Sequence, residues 1–228
     1  WDVSDDGKGG VKAWVVPNND DSTKYDLYIG ANGGVIANEN SGYIFYNFSG
    51  ITVIDFNNNF DTSNVTNMNC MFAGYWNSHS DYFISSLKEI RGLENFDTSN
   101  VTDMTRLFAR CTSLETVDLS SFNTSKVTSM RSMFSYCLSL KSIDVSNFDT
   151  SNVVNMGTMF DNCTVTELNL CSFNTNNVTF ANWMFQMMPN IEVIYVSNDW
   201  NLSNATTDGM FDGTTMPEII TDQCELIN

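Results

Sequence analysis

The chain is poor in positive charge. Its 228 residues include 10 lysines and arginines against 27 aspartates and glutamates, which gives a formal net charge of −17. Nucleic acids and anionic membrane surfaces are bound mainly through Lys and Arg, so we expect neither as a partner. The acidity is typical of a soluble, self-repelling surface, and the alternative is that it attracts a basic partner.

Groups that carry common catalytic chemistry are also scarce. The chain has one histidine, His79, and none of the motifs HExxH, GxSxG or GxxxxGKS. It contains no CxxC pair and no cluster of Cys and His with the spacing of zinc ligands. We therefore predict that the protein is not an enzyme, and that it uses no metal and no cofactor.

Long apolar segments are missing as well. No stretch approaches the roughly 20 apolar residues of a membrane-spanning helix, so we predict no membrane insertion by this chain. No signal peptide precedes the first strand-like segment, and the last residues look like the start of another coil. We expect the chain to be part of a longer protein whose export signal and anchor lie outside it.

What the chain does contain is a repeat. Five near-copies of one phrase occur: FDTSNVT at Phe60 and Phe96, FNTSKVT at Phe122, FDTSNVV at Phe148 and FNTNNVT at Phe173. A second apolar mark follows each copy, and a degenerate sixth copy begins at Trp200; the marks are Phe72, Phe108, Phe134, Phe160, Phe185 and Phe211. A period of about 26 residues indicates one supersecondary unit per repeat, which buries its apolar face only by stacking on its neighbours.

Residues 114–137 show the unit most clearly. Apolar and polar residues alternate from Val117 to Ser120, which predicts a short strand with one buried face. A phrase rich in turn and cap residues follows. The next apolar residues fall at helical spacing and predict a short helix; they are Val127, Met130, Met133, Phe134 and Cys137. The predicted fold class is α/β: a leucine-rich-repeat solenoid with a parallel β-sheet on one face and short helices or turns on the other.

The repeat also divides the chain. Residues 1–45 lack the phrase but contain strand-like pieces, and we predict that they form a β-rich N-terminal cap over the open end of the solenoid. Residues 46–228 are predicted to form about six coils of 25–26 residues. An insert at residues 74–86 interrupts them, and insertions in solenoids often lie on a binding face. Its candidate binding residues are Tyr75, Trp76, Tyr82 and Phe83, although these aromatics could instead pack onto the stack.

The outward face of the predicted sheet supplies the other candidate binding residues, because solenoids use such extended surfaces for recognition. One column contains Thr116, Ser142, Glu167 and Val193, and the next contains Asp55, Arg91, Asp118, Asp144, Asn169 and Tyr195. Stacking would bring Asp118 and Asp144 to about 5 Å, the carboxylate separation of a retaining glycosidase. A repeat produces such pairs without a substrate cleft, so we assign no catalytic and no metal-binding residue.

Two further columns follow from the repeat. Cys111, Cys137 and Cys163 share one position, which predicts buried thiols rather than a disulfide framework, whereas Cys171 falls at an outward position and is predicted to be accessible. The Asp, Asn and Thr residues of the phrase are predicted to satisfy backbone groups where each strand ends.

At these residues the chain resembles the BspA-like leucine-rich-repeat surface proteins of bacteria, whose repeat is similar to residues 114–140. The segments WDVS, YDLYIG and GGVIA of residues 1–37 also resemble segments that precede such repeats. The resemblance implies an extracellular, cell-surface protein of host-associated bacteria, and some members of that family are adhesins. We therefore expect a protein-binding module that adheres to a host extracellular-matrix or plasma protein or to a surface glycan. The alternative is a stalk or spacer with no ligand of its own.

Overall fold

A computed structural model describes residues 11–31, 34–56, 59–75, 85–221 and 223–224 of the chain. Nine strands lie within these ranges: β1 Val11–Pro17, β2 Tyr25–Ala31, β3 Val35–Ile36, β4 Ile51–Asp55, β5 Phe60–Asp61, β6 Glu89–Arg91, β7 Glu167–Leu170, β8 Val193–Val196 and β9 Glu218–Ile220. Between residues 11 and 221, outside the gaps, the only helical element is a 3-10 turn at Leu93–Asn95. The parallel solenoid is confirmed, and the α/β class with short helices is wrong: this is a β-solenoid.

The sheet consists of two separate blocks. In the N-terminal block β1 pairs antiparallel with β2, and β2, β4 and β6 then pair in parallel. In the C-terminal block β7, β8 and β9 pair in parallel. Two coils between the blocks, at residues 114–119 and 140–145, were predicted to be strands and do not pair as strands.

Contacts of other kinds join the two unpaired coils. They carry Asp118 and Asp144 at equivalent positions, and Lys141 of the second coil forms an ion pair with Glu115 of the first at 2.9 Å. One backbone hydrogen bond still joins the two coils, from Lys141 N–H to the Glu115 carbonyl at 3.3 Å. The amide of Asn147 adds side-chain bonds to backbone carbonyls of the preceding coil.

The wall opposite the sheet is built from turns. Where a helix was predicted, Met133, Ser135 and Cys137 each donate their N–H to the carbonyl three residues earlier, at 3.1 Å. The alternate N–H groups, of Ser132 and Phe134 among others, donate instead to carbonyls of the next coil at 3.0 Å. A helix would keep all these bonds within the coil, and a wall of about ten residues is too short to be a stable helix by itself. The bonds between coils replace it.

Left-handed backbone makes these consecutive turns possible. Two positions of most coils, two residues before and two after the marking Phe, have φ between 52° and 63°. They are Tyr43, Asn47, Cys70, Arg106, Arg110, Ser132, Tyr136, Thr158, Asn162, Trp183 and Met187. In the last coil Gly209 and Gly213 take the same positions with φ of 62° and 69°. We call this surface the turn wall.

A stack of phenylalanine rings runs through the core. Phe108, Phe134 and Phe160 are fully buried and stack in parallel with centroids 5.8 Å apart. All six predicted marks belong to this stack, and Phe45 extends it by stacking on Phe72 at 5.5 Å. Seven rings in register correspond to about seven turns of solenoid.

The additional turn, marked by Phe45, is the first along the chain, and it begins inside residues 1–45, the segment predicted to be the cap. β2 pairs in parallel with β4, β3 pairs in parallel with β5, and Asn40 forms a parallel bridge with Asn67. The described residues of 25–31 and 34–47 thus follow the path of a coil although they lack the phrase. β1 alone, of the described strands, covers this end in antiparallel pairing.

The polar residues of the phrase form hydrogen bonds to backbone groups, as predicted. Its Asp or Asn accepts the N–H two residues ahead, as in Ser99 N–H to Asp97 Oδ1 at 2.9 Å and Ser151 N–H to Asp149 Oδ1 at 2.9 Å. Its Thr is buried and donates to a carbonyl of the next coil, as in Thr150 Oγ1 to Asn174 O at 2.8 Å.

The cysteines divide into two sets. Cys111, Cys137 and Cys163 are fully buried, as predicted, and each thiol donates to a Phe carbonyl of the preceding coil at 2.9–3.2 Å. The prediction that Cys171 is an accessible thiol is wrong. Cys171 forms a disulfide with Cys224, which ties the end of β7 to the segment after β9.

Candidate functional site

An open groove of about 700 Å³ crosses the outward face where the sheet is interrupted. It begins at the end of β6 and continues over the two unpaired coils. Its charged and polar lining includes Glu89, Arg91, Glu94, Thr116, Asp118 and Asp144. We call it the acidic groove. Four of the predicted sheet-face residues meet here, namely Arg91, Thr116, Asp118 and Asp144.

The two aspartates of the groove are held by local turns. Asp118 Oδ1 accepts the N–H of Ser120 at 2.9 Å. Hydrogen bonds from the side chain and the backbone of Ser120 lower the pKa of Asp118. Asp144 Oδ1 accepts both the N–H and the hydroxyl of Ser146, at 3.0 and 2.7 Å. Both carboxylates are exposed, so they present fixed negative charge to whatever enters the groove. The described residues contain no group of three or more His, Cys, Asp or Glu that could hold a metal ion.

The single cation of the groove is already paired. Arg91 donates to both carboxylate oxygens of Glu89, at 3.0 and 2.8 Å, and its other terminal nitrogen lies 3.9 Å from Asp55 Oδ2. The hydrogen bonds to Glu89 raise the pKa of Arg91. Register explains the contact, because Asp55 and Arg91 lie opposite each other on β4 and β6. The net charge of the groove therefore remains negative.

The other sheet-face candidates lie outside the groove. Glu167 lies opposite Val193, and Asn169 lies opposite Tyr195, in the pairing of β7 with β8. Tyr195 is half-buried. Ser142 is exposed on the second unpaired coil but does not line the groove. The structure thus divides the predicted face into an acidic central part and a separate patch on the C-terminal block.

The aromatic insert is described only at its edges. Tyr75 is exposed. The other predicted residues of the insert, Trp76, Tyr82 and Phe83, lie outside the described residues, as does His79.

Sequence reasoning missed two contributors to the groove. Glu94 comes from the 3-10 turn after β6, and Asn147 comes from the turn after the second unpaired coil. Neither occupies a column of the predicted sheet. Both residues lie in turns just after a strand or strand-like coil. The alternation of apolar and polar residues identifies positions within the strands only, so it gave no indication of them.

The turn wall was also missed as a site. Between its two left-handed columns lies a line of smaller residues, which includes Ala73, Ala109 and Ser135. The aligned glycines of the last coil, Gly209 and Gly213, were the available signal, because glycine is the default residue at positive φ.

None of the helices in the described part of the chain has the length and hydrophobicity needed to cross a bilayer.

Fold and surface together define a class: a repeat protein of the β-solenoid type, with about seven turns and an interrupted sheet. One protein family matches the chain, over residues 42–142, 77–200 and 130–219, and it is described as Mycoplasma protein of unknown function, DUF285. These overlapping matches span most of the chain, so the chain belongs to the DUF285 family. No curated protein and no solved structure matches it. The resemblance to BspA-like proteins stays a prediction.

Proposed function

We propose that this chain is a non-enzymatic binding module of a bacterial cell-surface protein, and that it attaches to a host or community macromolecule through the acidic groove. The observation that carries the proposal is the groove itself. An open depression of about 700 Å³ interrupts an otherwise regular repeat face. A pure spacer has no need of such an interruption.

The charge of the groove indicates the chemistry of the partner. Its carboxylates outnumber its cations, and Arg91 is already in contact with Glu89. Together with the net charge of −17, this arrangement favours an extended segment rich in Lys and Arg. Electrostatic complementarity of this kind mainly accelerates association and selects the partner.

A secreted or surface location has one structural support. Cys171 and Cys224 form a disulfide, and disulfides persist mainly in oxidising compartments. The remaining described cysteines are buried and cannot easily exchange with it. The cell surface is therefore part of the proposal.

The test is binding of the purified chain to fibronectin, fibrinogen, laminin, collagen and mucin glycans at low and at high salt. The double variant Asp118→Lys with Asp144→Lys reverses two charges of the groove. A matched control, Asp97→Lys with Asp149→Lys, makes the same change of net charge at exposed positions elsewhere, where each aspartate also accepts the N–H two residues ahead. Outward side chains contribute little to the core, so both variants should keep the wild-type melting temperature within a few degrees.

Saturable binding that weakens with salt, and that is lost in the groove variant but kept in the control, would support the proposal. Equal loss in both variants would mean that net charge alone attracts the ligand and would reject the groove as the site. If the folded chain binds nothing on the panel, the proposed adhesive function fails for these partners. The stalk would then be the better interpretation.

A further inference from the structure

The turn wall holds a second cavity, of about 420 Å³, on the side of the solenoid away from the acidic groove. Its floor contains small side chains, because Cys70, Ala73 and Ala109 form a buried cluster separate from the main core. Large side chains from the left-handed positions rise around this floor. The volume lies within the range of about 300–1,000 Å³ that is typical of small-molecule sites.

Three arginines line this cavity. Arg106 and Arg110 come from one coil, and Arg131 comes from the next. Arg106 and Arg110 have φ of 56° and 62°, a conformation that costs about 1–2 kcal/mol for residues with a Cβ. In the last coil the two equivalent positions are glycine. The left-handed conformation is common to the non-glycine residues of the turn wall, and at these two positions it presents arginine side chains to the cavity.

The concentration of positive charge is unusual for this protein. The whole chain has 10 basic residues, and three of them line one cavity. Elsewhere Arg91 and Lys141 are in ion pairs with glutamates. Neither Arg106 nor Arg131 forms an ion pair with any residue that the structure describes.

One carboxylate, that of Asp161, also lines the cavity, and it is engaged locally. Its oxygens accept hydrogen bonds from the hydroxyl of Ser135 at 3.1 Å and from the amide of Asn162 at 2.7 Å. Burial raises the pKa of Asp161. Its one negative charge is outnumbered by the three arginines of the lining.

Arg110 is largely buried. The residue exposes 9% of its surface, and its guanidinium lies 4.7 Å from the centre of the Tyr136 ring. Burial disfavours the charged form and lowers the pKa of Arg110. Arginine binds carboxylate and sulfate groups through paired, charge-assisted hydrogen bonds, and Arg106 and Arg131 line the same cavity.

The opposite end of the cavity is aromatic. Tyr43 and Tyr46 pack edge to face with ring centres 5.5 Å apart, and both line the cavity. Ser132 and Thr158 line the cavity on the far side of the arginines, where their hydroxyl groups hydrogen-bond to each other at 2.6 Å. The flat apolar faces of the tyrosine rings suit the apolar face of a sugar ring.

We propose that this cavity binds an anionic saccharide, whose carboxylate or sulfate group is held by the arginines while its ring packs against the tyrosines. The site is distinct from the acidic groove and does not depend on the function proposed for the groove. It gives the same chain two surfaces of opposite charge.

Calorimetric titration of the full chain tests the proposal with glucuronate, sulfated glucose and neutral glucose as probes. Glucuronate and sulfated glucose are expected to bind saturably, and glucose at least about tenfold more weakly, because it lacks the charged acceptor. Arg106→Gln with Arg131→Gln should weaken binding of both acidic sugars at least about tenfold. Lys126→Gln with Lys141→Gln removes two positive charges at exposed positions outside both the cavity and the acidic groove, so it is the matched control and should leave their affinity unchanged.

Arg131→Gln alone, at an exposed position, keeps the test decisive if the double variant does not fold. The proposal fails if glucose binds as well as glucuronate, if Lys126→Gln with Lys141→Gln causes the same loss, or if no acidic sugar gives a saturable signal. Inorganic sulfate that competes as strongly as sulfated glucose would show an anion site without sugar recognition and would reject the saccharide. A response to only one acidic sugar would identify whether carboxylate or sulfate is the group recognised.

Discussion

Removal of one ring from the phenylalanine stack should have a large and local cost. Phe134 is fully buried and stacks on Phe108 and Phe160, both at 5.8 Å. Full burial of a Phe side chain contributes about 1.5–3 kcal/mol. Each stacked pair adds about 0.5–1.5 kcal/mol. For Phe134→Ala we therefore expect a loss of about 4 kcal/mol in the free energy of unfolding, within the range of about 3–5 kcal/mol for buried Phe→Ala changes.

The chain offers a matched control in Phe180→Ala. Phe180 exposes 52% of its surface, although its backbone lies in the bridge ladder between coils. The same substitution should therefore change stability by no more than about 0.5 kcal/mol.

Urea unfolding followed by far-UV circular dichroism measures both variants. Their midpoints and slopes should be compared with those of the wild type, because a repeat stack can lose cooperativity. A loss below about 1 kcal/mol in Phe134→Ala, or equal losses in the two variants, would refute the claim that the ring stack is the core.

The remaining predictions concern ionisation and backbone conformation. Burial raises the pKa of Cys111 to about 12 from an ordinary 9.0, and it raises that of Cys137 and Cys163 as well. The thiols therefore lose their protons at a lower pH in the unfolded chain than in the folded chain. The free energy of unfolding should be unaffected below about pH 9, and it should fall by up to about 1.4 kcal/mol per pH unit for each thiol as the pH rises towards 12. Urea unfolding midpoints between pH 8 and 10.5 measure this fall. If Cys111→Ala shows the same dependence of stability on pH as the wild type, the prediction is contradicted. At Met187, with φ of 52°, Met187→Gly should be about 0.5–1 kcal/mol more stable than Met187→Ala, against the usual order, and the reverse order in thermal unfolding would show that the left-handed backbone is not strained.

The parts of the fold that the sequence predicted are those that repeat most regularly. Each marking Phe stacks on its equivalent in the next coil, and the Thr of the phrase donates to a carbonyl of the next coil, so their spacing reports the stacking directly. Cys137 was predicted to be buried for the same reason. Patterns of this kind do not depend on whether the intervening backbone is helical.

The wall conformation could not be predicted from the same pattern. Met130, Met133, Phe134 and Cys137 face inward at intervals of three and one, which a helix and a run of overlapping turns produce equally well. The choice depends on whether alternate N–H groups bond within the coil or to the next coil. That is a property of the stack and not of one repeat.

The sites were predicted least well, because they arise where the repeat is broken. Asp118 and Asp144 were identified from their column, but the groove between them exists because the strands there fail to pair. The partner of Cys171 lies outside the repeat, at Cys224. The cavity draws on neighbouring columns of the turn wall, but its arginines, Arg106, Arg110 and Arg131, recur at these positions in no other coil, so the repeat pattern did not single them out.

The interrupted sheet has a mechanical consequence. The turn wall runs without a break, with one parallel bridge per coil through Asp103, Ser129 and Asn155, whereas the sheet pairs only at its two ends. A stack tied continuously along one side and intermittently along the other bends most easily about the tied side. We therefore expect that any opening or closing of the acidic groove would swing the two blocks of sheet relative to each other. A ligand that spans the groove would set the curvature of the whole solenoid, and the distance between its ends would report whether the groove is occupied.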